Sequence, residues 1–172
     1  RFGGNPVEYL NIGGGLGIIY SDEKPQTAQA YADVILPLFK EYDLKRGLKI
    51  VLEPGRFISG NSGILVTKVL YVKRTPSKTF VIVDGGMNDL IRPSFYGAYH
   101  EIEPVEKKNT TMKDSHVDIV GPICESGDFL ARDRDLVEPA PAALLAVMSA
   151  GAYGAVQAGT YNTRPLVPEV MV

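Results

Sequence analysis

The apolar run Val7–Ile12 empties directly into Gly13-Gly14-Gly15-Leu16-Gly17, and this glycine cluster restricts the fold more than any other feature. A strand ending in so much bare backbone must turn sharply there. Past the turn, Thr27 to Tyr42 places Ala28, Tyr31, Ala32, Ile35, Leu38 and Phe39 on roughly one helical face. Pro37 lies inside that pattern and predicts a kink or break. Leu48–Leu52 is a second apolar strand, ending at Glu53-Pro54-Gly55-Arg56. Strand, glycine turn, helix, strand is a βαβ unit, so its strands lie parallel.

After Phe57 the pattern changes. Ile64–Val72, Phe80–Val83, Tyr99–Ile102, Val117–Val120 and Leu144–Met148 are strand-like runs separated by Gly, Pro, Asp and Asn. Ala152–Ala158 is the short helix candidate among them, and Glu103–Ser115, with Lys107, Lys108 and Lys113, reads as a solvated loop. The fold class expected is α/β plus β. Residues 1–57 form the tail of a parallel domain, and residues 58–172 form a mostly antiparallel β domain. The chain starts at Arg1 and stops at Val172 inside an apolar run, which reads as a piece of a longer protein.

Composition narrows the function classes. With 18 Lys plus Arg against 20 Asp plus Glu, the basic excess that a nucleic-acid surface needs is missing. A single cysteine and two histidines leave no disulfide framework and no expected metal site. The continuously apolar stretch Ala142–Met148 is far short of the ~20 residues of a membrane span. No signal peptide is recognised either, so a cytoplasmic protein is expected.

Two loops fall on the same edge of the predicted parallel sheet. Bare amides at Gly13–Gly15 suit an anion such as phosphate, although the same sequence also makes a ligand-free βα turn. Glu53, the Gly55 amide and Arg56 suit a ligand with a basic nitrogen and anionic groups, or else an ion pair at a strand end. A lone cysteine is usually a small buried hydrophobe, yet Cys124 adjoins Glu125 in a glycine-flanked turn, where a thiol can act as an acid. Arg92 beside Tyr96, and Tyr153 between glycines, are further candidates, each with a structural alternative. His100 and His116 read as ordinary strand or loop residues, and Asp84 with Gly85-Gly86 as a turn.

Taken in order, Asn-Ile-Gly-Gly-Gly-Leu-Gly, Glu-Pro-Gly-Arg, Ile-Arg-Pro-Ser-Phe-Tyr, Gly-Pro-Ile-Cys-Glu-Ser-Gly-Asp and Gly-Ala-Tyr-Gly resemble the motifs of the diaminopimelate decarboxylases. These are pyridoxal 5'-phosphate enzymes of the alanine-racemase-like class. The resemblance implies a (β/α)8, TIM-like barrel followed by a β-barrel or sandwich domain. A barrel takes ~250 residues, so residues 1–57 would be its remnant, with the Schiff-base lysine upstream of residue 1. The 172-residue chain alone is then expected to be inactive.

The resemblance also implies roles. Gly15, Gly55, Arg56 and Tyr153 would hold the cofactor phosphate, and Glu53 its pyridine nitrogen. Arg56, Arg92 and Tyr96, with Tyr153 nearby, would grip the substrate's far carboxylate, and Glu125 its far ammonium. Cys124 would return a proton after CO2 leaves, acting in the neighbouring subunit's site of a homodimer. The expected reaction is decarboxylation of meso-2,6-diaminopimelate to L-lysine, the last step of lysine biosynthesis. The rivals are ornithine-, arginine- or carboxynorspermidine-type decarboxylases of the same fold, and a non-catalytic relative acting as a binding partner. An ornithine-type pocket resembles Cys-Asp rather than Cys-Glu, and its substrate has no far carboxylate for an arginine.

Overall fold

A computed structural model describes residues 7–42, 48–106 and 114–172. The chain divides into two compact units, Arg1–Ile58 and Ser59–Val172.

In the first unit, β1 (Tyr9–Asn11) and β2 (Lys49–Val51) pair in parallel, Leu10 opposite Ile50. The connection between them contains α1 (Ala28–Tyr42), capped by Thr27, whose Oγ1 accepts the Ala30 N–H at 3.1 Å. Tyr31, Ala32, Ile35 and Phe39 form its shielded face, while Ala28 and Leu38 are exposed. The expected break at Pro37 does not occur: α1 continues through it. Pro37 and Asp33, the residue four back, are both exposed, so water can serve the carbonyl that proline leaves without a donor. Among the described residues, full burial of large apolar side chains in this unit is confined to Leu16, Ile18 and Phe39, whereas Tyr9, Leu10, Val34 and Leu52 lie exposed.

The second unit is a six-stranded mixed sheet. Its strands are β3 (Leu65–Arg74), β4 (Thr79–Val83), β5 (Ile102–Pro104), β6 (Asp114–Val120), β7 (Phe129–Val137) and β8 (Leu144–Val147). They lie in the order β5-β8-β3-β4-β6-β7. Every pairing is antiparallel except β4 with β6. Val69, Val81, Val83, Val117, Ile119, Leu130, Leu145 and Val147 fill the interior from alternate positions. The sheet curls until its outer strands approach one another. Arg134 of β7 donates to the His100 carbonyl, just ahead of β5, at 3.2 Å, which leaves a nearly closed barrel.

Three local expectations need correction. Phe129–Val137 is a strand that the sequence hides, because Asp133 (φ 52°) kinks it and the ladder to β6 shifts register there. The strand expected at Tyr99–Ile102 instead begins at Ile102 and runs to Pro104. The supposed loop Glu103–Ser115 therefore contains strand at both ends; Lys107, Lys108 and Lys113 lie outside the described residues.

Candidate functional site

In the first unit the ends of β1 and β2 are laced together. The Glu53 N–H donates to the Gly13 carbonyl at 2.8 Å. The Asn11 side chain bridges the two loops, accepting the Gly13 N–H at 2.8 Å and donating to the Glu53 carboxylate. Gly14 is pressed against the second loop: a Cβ there would lie 2.2 Å from the Glu53 carbonyl oxygen. Gly13 (φ +74°) and Gly15 (φ +98°) take the left-handed backbone, and a Cβ on either would meet nothing within 4 Å. One side of the glycine turn therefore packs tightly and the other stays open, as an anion cradle requires. The cleft beside it, about 470 Å³, is lined by Gly14, Gly15, Tyr20, Lys24 and Arg56 among others. The Gly55 N–H donates to the Glu53 carbonyl at 2.8 Å, so its use by an anion would require that bond to open. α2 (Gly55–Ser59) starts at this residue.

In the second unit, Arg92 and Tyr96 begin and end α3 (Arg92–Tyr96), Arg92 only 8% exposed and Tyr96 60%. Gly97, at φ 62°, stops the helix by donating to the Pro93 carbonyl at 3.0 Å. Cys124 and Glu125 occupy a tight turn between β6 and β7, both exposed, so the thiol is not the buried hydrophobe that its rarity suggests. The turn is built on Asp128, whose buried carboxylate accepts the Ile123 N–H at 2.5 Å and the Met87 N–H at 2.7 Å. Ser94 of α3 donates to the Gly127 carbonyl at 2.6 Å. The helix carrying Arg92 and the turn carrying Cys124-Glu125 are thus joined directly. The Tyr161 hydroxyl reaches Glu125 Oε2 at 3.3 Å.

Tyr153, at φ 67°, precedes α4 (Gly154–Gln157); its ring lies 5.5 Å from the Arg92 guanidinium carbon. A bulky residue in the left-handed region is strained, and here it points an aromatic face at a candidate binding group. Gly15, Glu53, Gly55 and Arg56 thus belong to one unit, and Arg92, Tyr96, Cys124, Glu125 and Tyr153 to the other. Sequence reasoning passed over Asn11, Ser94, Asp128 and Tyr161 as individual contributors. It also took His100 as ordinary, whereas the structure buries it completely against Arg92.

A family model described as "Pyridoxal-dependent decarboxylase, C-terminal sheet domain" matches residues 18–151. The chain belongs to this family. Among pyridoxal-dependent decarboxylases it is 53% identical to the diaminopimelate decarboxylase of Aquifex aeolicus, over 98% of this chain and 39% of that protein. It is 46% identical to that of Vibrio cholerae, over 96% of this chain and 38% of that protein. The chain therefore spans about two fifths of the length of these curated relatives. The crystal structure of diaminopimelate decarboxylase from Helicobacter pylori complexed with L-lysine superposes with a TM-score of 0.82 at 40% identity, covering 93% of this chain and 38% of that one. A structure from Aquifex aeolicus gives 0.87 at 53% identity, covering 95% and 39%. Among the described residues no helix is long and apolar enough to cross a membrane.

Proposed function

We propose that the protein carrying this chain decarboxylates meso-2,6-diaminopimelate to L-lysine, using pyridoxal 5'-phosphate and working as a cytoplasmic homodimer. The observation that carries the reading is the Ser94–Gly127 bond of 2.6 Å, which fixes the Arg92 helix to the Cys124-Glu125 turn. In a homodimer that frame sets Arg92 for its own site and Cys124-Glu125 for the neighbour's. Each site then combines a guanidinium from one chain with a carboxylate from the other, the pair needed to hold a remote carbon bearing both a carboxylate and an ammonium. Ornithine has no remote carboxylate. The 53% identity to an enzyme named diaminopimelate decarboxylase supports the same choice.

The residues present fit the cofactor. The open face of Gly13–Gly15 and the Arg56 side of the cleft suit its phosphate, and Tyr153 adds a hydroxyl. Glu53, oriented by Asn11, suits a protonated ring nitrogen. When bound, the cofactor supplies an electron sink for the bonding pair left behind by CO2. Arg92, Arg56 and Tyr96 orient the substrate through its far carboxylate, and Glu125 holds the far ammonium. Cys124 Sγ, an exposed free thiol, delivers a proton to the carbon from which CO2 has departed. The Cys124-Glu125 turn serves the neighbouring subunit's site. A reducing compartment keeps such a thiol available.

The test uses the full-length protein and a panel of diaminopimelate, ornithine, arginine and carboxynorspermidine, scored by CO2 release. Diaminopimelate should give the highest kcat/KM; faster turnover of ornithine would overturn the assignment. Site sharing is read by mixing Cys124→Ala and Glu53→Gln chains. If sites are shared, mixed dimers combine both defects in one site and leave the other whole, so activity returns. No recovery despite demonstrated subunit exchange would place Cys124 in its own subunit's site or outside the chemistry.

A further inference from the structure

Arg92 is held by a side chain to which the proposed function gives no part. Its Nη1 lies 2.9 Å from His100 Nε2, and His100 Nδ1 lies 2.8 Å from the Met148 carbonyl oxygen. A guanidinium only donates and a carbonyl only accepts. The one tautomer that satisfies both contacts carries its proton on Nδ1 and leaves a lone pair on Nε2. The imidazole is fully buried, and that burial holds its pKa below the ordinary 6.5, the nearby Arg92 and Arg134 pushing the same way. It therefore stays neutral at physiological pH.

Both ends of this strut are fixed. Arg134 donates to the His100 carbonyl at 3.2 Å. The Met148 N–H donates to the Glu101 carbonyl at 2.8 Å, and Ser149 just beyond sits at φ 55°. The other tautomer would set an N–H against the guanidinium and a lone pair against a carbonyl. A half-turn of the ring would put C–H groups where both nitrogens stand, so either change loses both contacts in a buried place. Nε2 thus offers the guanidinium one fixed acceptor. A two-pronged grip on a carboxylate depends on the plane of the fork being set beforehand.

We propose that His100, in its Nδ1–H tautomer, is a positioning residue that orients the Arg92 guanidinium toward the substrate's far carboxylate. This rests on the reading of Arg92 given above. Removing CO2 from one end of the substrate leaves the other carboxylate in place, so L-lysine keeps the group that Arg92 grips. 1,5-Diaminopentane has lost both carboxylates. The two ligands therefore separate a fork effect from a general one.

The experiment takes the full-length holoenzyme with Arg92→Gln, His100→Phe and His100→Gln. It measures KM and kcat for diaminopimelate and inhibition by L-lysine and by 1,5-diaminopentane. His100→Phe should raise KM and weaken L-lysine on the order of tenfold, the effect of one hydrogen bond to a charged group, while kcat and diaminopentane inhibition stay near parent values. His100→Gln, whose Oε1 can stand near Nε2, should recover most of the loss. Nitrogen NMR of labelled parent protein should report the Nδ1–H tautomer. If Arg92→Gln leaves KM and lysine inhibition unchanged, the reading of Arg92 is wrong and the inference falls with it. If Arg92→Gln is costly but His100→Phe is not, the inference alone fails. Equal weakening of both inhibitors would make His100 general structural support and likewise overturn it. Should His100→Phe not fold, His100→Gln and the tautomer decide: a proton on Nε2, or a His100→Gln loss as large as that of Arg92→Gln, refutes the proposal.

Discussion

Replacing Gly14 with alanine tests how the two halves of the proposed cofactor cradle are joined. The added carbon would stand 2.2 Å from the Glu53 carbonyl oxygen and 3.2 Å from its carbon. Non-bonded carbon and oxygen approach to about 3.3 Å, so the loops must part by roughly 1 Å. That separation stretches the 2.8 Å bond from the Glu53 N–H to the Gly13 carbonyl beyond hydrogen-bonding range. Losing it costs about 0.5–1.5 kcal/mol, and forcing a methyl into packed backbone costs about 1–3 kcal/mol. A loss of roughly 1.5–4.5 kcal/mol is expected from the two together. The functional cost is of similar size, because a displacement of ~1 Å at a positioned group is worth ~10²-fold in rate, about 2.7 kcal/mol. Urea unfolding of the full-length protein reads the first effect, and a spectroscopic cofactor titration with CO2 release reads the second. Gly13→Ala is the control: it meets nothing within 4 Å but keeps φ +74°, a strain of roughly 1–2 kcal/mol. A Gly14→Ala protein within about 0.5 kcal/mol of the parent, with parent activity, would refute the close approach as the reason for glycine.

Asp128→Asn keeps the shape but cannot accept from both Ile123 and Met87 without turning an NH2 toward an N–H. It should cost about 1.5–3 kcal/mol in urea unfolding at unchanged m, and a change under about 0.5 kcal/mol would show that the carboxylate does not organise the Cys124 turn. Cys124→Ala should lower kcat by roughly 10²–10⁴-fold with KM less affected, and an unchanged kcat in steady-state assays removes the thiol from the chemistry. For pH, the folded pKa of His100 lies below its ordinary 6.5, so below that pH the unfolded chain binds the proton more readily. Its contribution is complete above pH 7 and is lost as pH falls from about 6.5, at no more than ~1.4 kcal/mol per pH unit. Unfolding curves across pH 5–8 should show a slope in the parent that His100→Phe lacks, and identical slopes would contradict it.

The glycine turn and both parallel strands were legible because each depends on a few consecutive residues. Four glycines after an apolar run mark a place where the backbone turns sharply or is closely approached, and Glu53-Pro54-Gly55-Arg56 places its functional groups within one turn. What stayed hidden depends on distant partners. Asp128 reads as the end of a turn until Met87, 41 residues away, donates to it. His100 becomes a strut only because β8 brings the Met148 carbonyl alongside, 48 residues on. Phe129–Val137 spells Arg-Asp-Arg-Asp at its centre, and a bulge breaks the alternation by which a half-buried strand is recognised. Pro37 misled in the other direction, since an exposed helix face tolerates a missing donor that a buried one does not.

The strand order also sets a timetable for synthesis. β3 pairs with β4 after a short hairpin, but its other neighbour is β8, and among the described residues β5 pairs with β8 alone. Roughly 70 residues separate the end of β3 from the end of β8. At about 5–20 residues per second on the ribosome, the free edge of β3 waits on the order of 4–15 s for its partner. Throughout that interval it offers an unsatisfied backbone ladder to any neighbouring nascent chain. Damage to β8 should therefore appear first as poor yield and aggregation during expression, even where the finished protein, once folded, would be stable.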